Sequence, residues 1–149
     1  MRIYIDTSVV GGYYDKEFDT ATKDFFSEVE KKKITLVVSD LLEAELTRAP
    51  EHVREYLDRY FEDQIERVEL TKEATELADK YIAEGVVGKT SRADCQHIAI
   101  ATLNKVDVLV SWNFKHIVNL KRIRGYNSVN LRLGYAMLEI RTPKEIIEL

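Results

Sequence analysis

Three acids have types and positions that could do chemistry, and one of them, Glu45, stands where a carboxylate is costly to keep without a task. Asp6 ends the apolar run Ile3-Tyr4-Ile5, Glu45 sits within Leu41-Leu42-Glu43-Ala44-Glu45-Leu46, and Asp94 opens Asp94-Cys95-Gln96-His97-Ile98-Ala99-Ile100-Ala101. In a helix from Ser39 to Thr47, each residue advances about 100° around the axis. With Leu41 set as the origin, Leu42 falls at about 100°, Leu46 at about 140° and Glu45 at about 40°, whereas Glu43 falls at about 200°. Glu45 therefore shares the apolar stripe and Glu43 faces solvent. A carboxylate on a buried face must be paired or bind a metal, so Glu45 pairs with a core arginine, caps a neighbouring helix or serves as a ligand. Asp94 completes Ser91-Arg92-Ala93-Asp94, which matches a capping box. Capping does not exclude a second role, because a helix N-terminus can also face a phosphate site. Asp6 either organises a turn through backbone amides or faces a ligand, and Ser8 has the same two readings. The three histidines form no zinc-ligand pattern. His97 is expected to be a partly buried helix residue and His52 a surface one.

The elements that must position these acids are short and alternate in type. Ile3-Tyr4-Ile5 reads as a buried strand, and Asp6-Thr7-Ser8 with Gly11-Gly12 as a loop. A helix is expected over Thr20–Lys32, with Ala21, Phe25, Phe26 and Val29 as its apolar stripe. Ile34–Val38 is a β-branched strand, and Ser39 an N-cap for the helix to Thr47. Pro50 suits the first turn of a helix to about Asp63, with Val53, Tyr56, Leu57, Tyr60 and Phe61 inward. Thr71 caps a helix to Glu84, and Gly85-Val86-Val87-Gly88 breaks it. The segment Arg92–Asn104 is apolar nearly all round and predicts a buried central helix. Val106–Val110 is a third strand, Asn113–Asn119 a short helix and Leu138–Ile140 a last strand. Thr142-Pro143-Lys144-Glu145 is a capping box opening a C-terminal helix. This alternation indicates an α/β fold with a mostly parallel sheet flanked by helices. In such sheets functional groups gather beyond the carboxyl ends of the strands, where Asp6, the Ser39–Glu45 segment and Ser111-Trp112-Asn113 all fall.

Composition sets the outer bounds. With 149 residues, 45% of them hydrophobic and 32% charged, the chain suits one globular domain, residues 1–149, with no repeat or linker. No apolar run approaches the roughly 20 residues of a membrane span, and no signal-peptide pattern opens the chain. One cysteine, Cys95, cannot form an internal disulfide and is expected to be buried. These features fit a cytoplasmic protein. A net charge of −4 argues against coating nucleic acid through bulk electrostatics, but not against an enzyme that meets phosphate through carboxylate-held metal ions.

Taken in order, Ile3-Tyr4-Ile5-Asp6-Thr7-Ser8, Ser39-Asp40-Leu41-Leu42-Glu43-Ala44-Glu45-Leu46, Asp94 to Thr102 and Val108-Leu109-Val110-Ser111-Trp112-Asn113 resemble the PIN-domain nucleases. The likeness is closest to the VapC type of bacterial and archaeal toxin. It implies a twisted parallel sheet flanked by helices and a pocket for Mg²⁺ or Mn²⁺ formed by Asp6, Glu45 and Asp94. On that reading Asp6 and Asp94 bind the metal directly, Glu45 holds coordinated water or a second ion, and Thr7 and Ser8 support them. The resemblance also implies an RNA substrate, a small antitoxin partner and a homodimer. One departure stands out: the family often carries a fourth acid after the last site strand, where Ser111-Trp112-Asn113-Phe114-Lys115-His116 has none. Asn113 is left to contribute an amide oxygen, His116 and Lys115 to touch phosphate, and Arg92 and Lys89 to steer it. Two alternatives remain. One is a PIN-like domain that binds RNA or protein without efficient cutting. The other is a phosphotransferase with Asp6 as nucleophile, which lacks the usual second aspartate.

Overall fold

The computed structural model describes residues 1–55, 57 and 62–149. Its strands are β1 (Arg2–Ile5), β2 (Thr35–Ser39), β3 (Ile65–Val68), β4 (Val108–Val110) and β5 (Ile140–Arg141). They pair in parallel throughout, in the spatial order β3-β2-β1-β4-β5. Among the described residues the helices are α1 (Thr7–Gly12), α2 (Asp19–Lys32), α3 (Asp40–Leu46), α4 (Glu51–Arg54), α5 (Lys72–Ala83), α6 (Arg92–Leu103), α7 (Leu120–Arg132) and α8 (Pro143–Ile147). No described helix is long and apolar enough to cross a membrane.

Side chains alternate across a strand, and that period divides the core in two. Ile3, Ile5, Leu36, Val38, Val108 and Val110 pack against Val9, Phe25, Phe26, Val29, Leu42 and Ile146. Tyr4, Val37, Leu109 and Ile140 face the other way, onto Leu77, Tyr81, Ile98 and Tyr126 of α5, α6 and α7. Burial on both faces explains why these strands read as unbroken apolar runs. The chain leaves β1 towards β2 and leaves β4 towards β5, on opposite sides. The crevice at the carboxyl ends of β1 and β4 is therefore a topological switch point, where open α/β sheets place ligands. Asp6 and Ser111 are the first residues beyond those two strands.

Several expected devices are present. The Ser39 hydroxyl accepts the Leu42 N–H at 3.1 Å, and Thr71 accepts the Ala74 N–H at 3.1 Å. Thr142 and Glu145 form a reciprocal capping box behind Pro143. Helix α6 is buried at Cys95 and from His97 to Thr102, as its composition predicted.

Elsewhere the structure departs from the sequence reading. Residues 7–12 are helical rather than a loop; Gly12 is there for close approach, since a Cβ on it would lie 2.8 Å from Thr22 and from the Trp112 ring. Strand β3 was not anticipated, because it is a half-exposed edge strand carrying Glu66 and Arg67. Helix α7 escaped notice because two of its buried positions are Asn127 and Asn130 instead of apolar residues. The expected helix Asn113–Asn119 is a chain of turns. Of the expected helix from Pro50 to Asp63, residues 51–54 are helical and Val53 and Leu57 are buried, while Tyr56, Tyr60 and Phe61 lie outside the described residues. The third and last strands begin two residues later than expected, at Val108 and Ile140.

Candidate active site

Asp6 follows β1 in extended conformation and sits at the N-cap of α1, yet its side chain makes no capping bond. It is only 3% exposed. The Ser8 hydroxyl donates to Oδ1 at 2.6 Å and the Ser111 hydroxyl to Oδ2 at 2.6 Å. Burial raises the Asp6 carboxyl above its ordinary pKa, against the lowering effects of His97 and the two hydroxyls. The carboxylate is thus locked between β1 and β4 by two serines, the second of which belongs to the far side of the switch point. Ser8 also accepts the Trp112 N–H at 2.9 Å, closing the link between α1 and the loop after β4.

Glu45 lies on α3, whose start is fixed by the Ser39 cap. It is half-buried, as its place in the apolar stripe required, while Glu43 is exposed and pairs with Arg67 at 3.3 Å. Its partner is not a core arginine. His97 Nε2 lies 2.5 Å from Glu45 Oε1, and the Thr7 hydroxyl donates to the same oxygen at 2.8 Å. His97 Nδ1 lies 2.5 Å from the Tyr4 hydroxyl, which in turn lies 2.8 Å from Ser39 Oγ.

One assignment of protons satisfies this whole chain. A carboxylate only accepts, so Nε2 carries hydrogen; when the ring is neutral, Nδ1 accepts from Tyr4. Ser39, already accepting from Leu42, donates to the tyrosine oxygen. The relay Ser39–Tyr4–His97–Glu45 crosses the carboxyl end of the sheet with each hydroxyl and ring N–H used once. Burial raises the Glu45 carboxyl, but the hydrogen bond and charge of His97, with Thr7, outweigh it and leave the pKa below its ordinary value.

His97 was not anticipated in this role, being only 2% exposed and bonded at both ring nitrogens. Its spacing held the signal: His97 is three residues after Asp94 on one helix, which puts the two on the same face.

Asp94 is a partly buried residue in the first turn of α6. The expected capping box with Ser91 does not form. Ser91 has φ −101° and ψ 22°, not the extended backbone that aims a cap hydroxyl at the helix amides. Its hydroxyl is buried and has no hydrogen-bond partner among the described residues. Asp94 instead meets His116, whose Nδ1 lies 3.3 Å from Oδ2. Burial raises the Asp94 carboxyl above its ordinary pKa; His116 opposes this, and the nearby charges of Asp6 and Glu45 add to it. That mutual influence is the electrostatic mark of three acids sharing one region.

The loop after β4 holds the other candidates. Asn113 spends its amide oxygen on the His116 N–H at 3.0 Å, and its own N–H goes to Ser111 Oγ at 2.9 Å. It fixes the loop that carries Ser111 to Asp6 and His116 to Asp94. Lys115 and Lys89 are exposed, so both are open to solvent-borne phosphate. Arg92 is committed to an ion pair with Asp79.

Among the described residues, no three His, Cys, Asp or Glu side chains converge closely enough to cage a metal by themselves. The donor set fits a different arrangement. Mg²⁺ keeps several waters and is commonly held by one or two carboxylates. Asp6 retains a lone pair on each oxygen beyond its serine bonds. No hydrogen bond among the described residues reaches Asp94 Oδ1 or Glu45 Oε2. Asp6 and Asp94, neighbours whose charges destabilise one another, are the pair that a hard cation would relieve.

Comparison with known proteins bears on the family and the fold. The PIN domain model matches residues 3–115. Among curated proteins, none matches by sequence. Among solved structures, the chain is similar to VapBC2 from Rickettsia felis bound to a DNA fragment from its promoter, at 18% identity over 95% of this chain and 98% of that one, with a TM-score of 0.61. It is similar to Mycobacterium tuberculosis VapC20, a Sarcin-Ricin loop cleaving toxin, at 10% identity over 91% and 98% of the two chains, with a TM-score of 0.58. Neisseria gonorrhoeae FitAcB is similar at 12% identity over 95% and 97%, with a TM-score of 0.57.

Proposed function

We propose, from the premise that this chain belongs to the PIN-domain family, that it is a divalent-metal-dependent ribonuclease and the toxin of a toxin–antitoxin pair. The electrostatic reach of Asp6 and Glu45 to Asp94, with acceptor capacity left on each acid, carries the reading. Asp6 and Asp94 are the residues that would hold Mg²⁺ or Mn²⁺. When bound, the ion would supply the positive charge that orients a phosphodiester, activates a water for in-line attack and offsets charge on the leaving oxygen. The chain's own residues prepare that event. Ser8 and Ser111 hold Asp6 in one orientation, and the His97 relay holds Glu45 ionised, where it can orient a water. Asn113 fixes the loop that brings His116 and Lys115 to the phosphate.

The proposal extends to a small antitoxin partner, a homodimer and action in the cytoplasm; likeness in fold to VapC20, a Sarcin-Ricin loop cleaving toxin, supports the toxin role. The nuclease reading is tested by incubating RNA with the full chain, with and without Mg²⁺, beside Asp6→Asn. Cleavage that needs Mg²⁺ and is lost in the variant is expected; equal background in both would overturn it. Growth arrest on expression, relieved by a short adjacent reading frame, tests the toxin role.

A second reading has its own observation. No carboxylate lies in residues 111–119 directly after β4, and Asn113 turns its amide oxygen to the loop backbone. A domain that binds RNA or protein and cuts it weakly would show Mg²⁺-independent binding with little turnover.

A further inference from the structure

The loop after β4 carries, besides the groups already described, an aromatic cluster that the acid site does not use. Phe18 and Trp112 stack with centroids 4.6 Å apart and planes 22° apart. Phe114 lies against both, 6.4 Å from Phe18 and 6.2 Å from Trp112, and remains 50% exposed. Trp112 is held at both ends. Its indole N–H donates to Thr22 at 2.9 Å, and its backbone N–H donates to the Ser8 hydroxyl that binds Asp6. The platform is thus rigidly tied to the acid site rather than lying on a separate face.

The loop also orders its chemistry. Ser111 touches Asp6, Phe114 is exposed, Lys115 is an exposed cation, and His116 touches Asp94. Consecutive Cα atoms are about 3.8 Å apart, so the exposed ring stands within about two residues of a group on the site. A large exposed aromatic beside a cation matches the two parts of a single-stranded nucleotide, whose base stacks and whose phosphate is negative. Charge selects the face. The cleft that Phe18 and Trp112 help to line also carries Glu17, Asp24 and Glu148 with only Lys144 opposing them, and would repel a phosphate chain. Phe114 and Lys115 are not part of that lining.

We propose that Phe114, backed by Trp112 and Phe18, is a stacking subsite for an unpaired RNA base next to the phosphate at the acid site, with Lys115 taking the adjoining phosphate. The proposal rests on the ribonuclease reading and makes the preferred substrate single-stranded.

Trp112 is the chain's only tryptophan, so its fluorescence reports on this platform directly. The full chain is titrated with oligouridylate, and with an abasic ribose-phosphate oligomer of equal length, in Ca²⁺, with RNA length checked afterwards. Oligouridylate is expected to quench Trp112 and the abasic chain to bind without quenching. Phe114→Leu keeps size and apolarity but loses the ring. It is expected to weaken oligouridylate binding about 5- to 150-fold, the range for one stacked base, and to leave abasic binding unchanged. Phe114→Tyr should retain wild-type affinity. Equal oligouridylate affinity in wild type and Phe114→Leu overturns the proposal. So does a Phe114→Leu effect confined to oligomeric state or to binding of a protein partner. Phe114-dependent binding without any Mg²⁺-dependent cleavage defeats the nuclease reading alone. Cleavage indifferent to Phe114 defeats the subsite alone.

Discussion

His97 Nε2 lies 2.5 Å from Glu45 Oε1, joining an acid that helical geometry marks as misplaced to a histidine three residues after Asp94 on α6. The contact resolves how the buried face of α3 tolerates a carboxylate. Glu45 is neither a helix cap nor an arginine partner; it ends a hydrogen-bonded relay that begins at the Ser39 cap of its own helix.

Replacing His97 by Gln removes the strongest influence that lowers the Glu45 carboxyl, while burial stays. The Glu45 pKa is therefore expected to move from below its ordinary value to above it. In the native chain a depressed carboxylate contributes stability above its ordinary pKa and loses it as pH falls through the folded value. In His97→Gln that contribution changes sign. An NMR titration of the Glu45 side-chain carbonyl reads the shift directly, and an unchanged titration contradicts the relay. Activity should fall about 10- to 100-fold, as when an outer partner of a metal-site acid is lost.

Asp94 carries the opposite linkage. Its pKa is raised by burial and by neighbouring acids, so the folded chain binds more protons than the unfolded one just above the ordinary aspartate value. Stability from this group is complete at lower pH and is lost as pH rises through the raised value. Asp94→Asn should therefore raise the melting temperature at neutral pH in EDTA, by about 2–4 °C for each kcal/mol released. The same substitution should reduce the stabilisation that added Mg²⁺ gives. A melting temperature lowered in EDTA would show that Asp94 is structural.

Much of this was legible in the sequence, and the failures have physical causes. The two-faced strands, the Ser39, Thr71 and Thr142 caps and the buried α6 follow from periodicity and cap chemistry, which are local. Glu45 was legible because a helix converts spacing into a face. The Ser91–Asp94 capping box was misread because its residue types fit while the backbone at Ser91 does not. His97 as the Glu45 partner was beyond reach because the contact spans 52 residues and requires α3 and α6 to meet over β1. Helix α7 hid behind Asn127 and Asn130, whose side chains bond Leu138 and Thr102 and make polar residues acceptable inside.

Ser111 joins two structures through one hydroxyl, donating to Asp6 and accepting the Asn113 N–H. Ser111→Ala leaves a buried carboxylate with one hydroxyl donor and strands the amide. A loss of about 1–3 kcal/mol in urea unfolding is expected, with the Asp6 pKa raised further. Wild-type stability in this variant would mean that the loop after β4 does not hold Asp6.

The most direct test of the account compares two glutamates two residues apart on α3. Cleavage of single-stranded RNA in Mg²⁺ is measured for wild type, Glu45→Gln and Glu43→Gln, with wild type in EDTA as the blank and folding checked by circular dichroism. Glu43, exposed and paired only at the surface, should be replaceable with activity within about twofold and stability within about 0.5 kcal/mol. Glu45→Gln should fold and lose at least about 10-fold in rate, and EDTA should abolish cleavage. Equal rates for the two variants, or cleavage that survives EDTA, would contradict a metal-dependent site built from Asp6, Glu45 and Asp94.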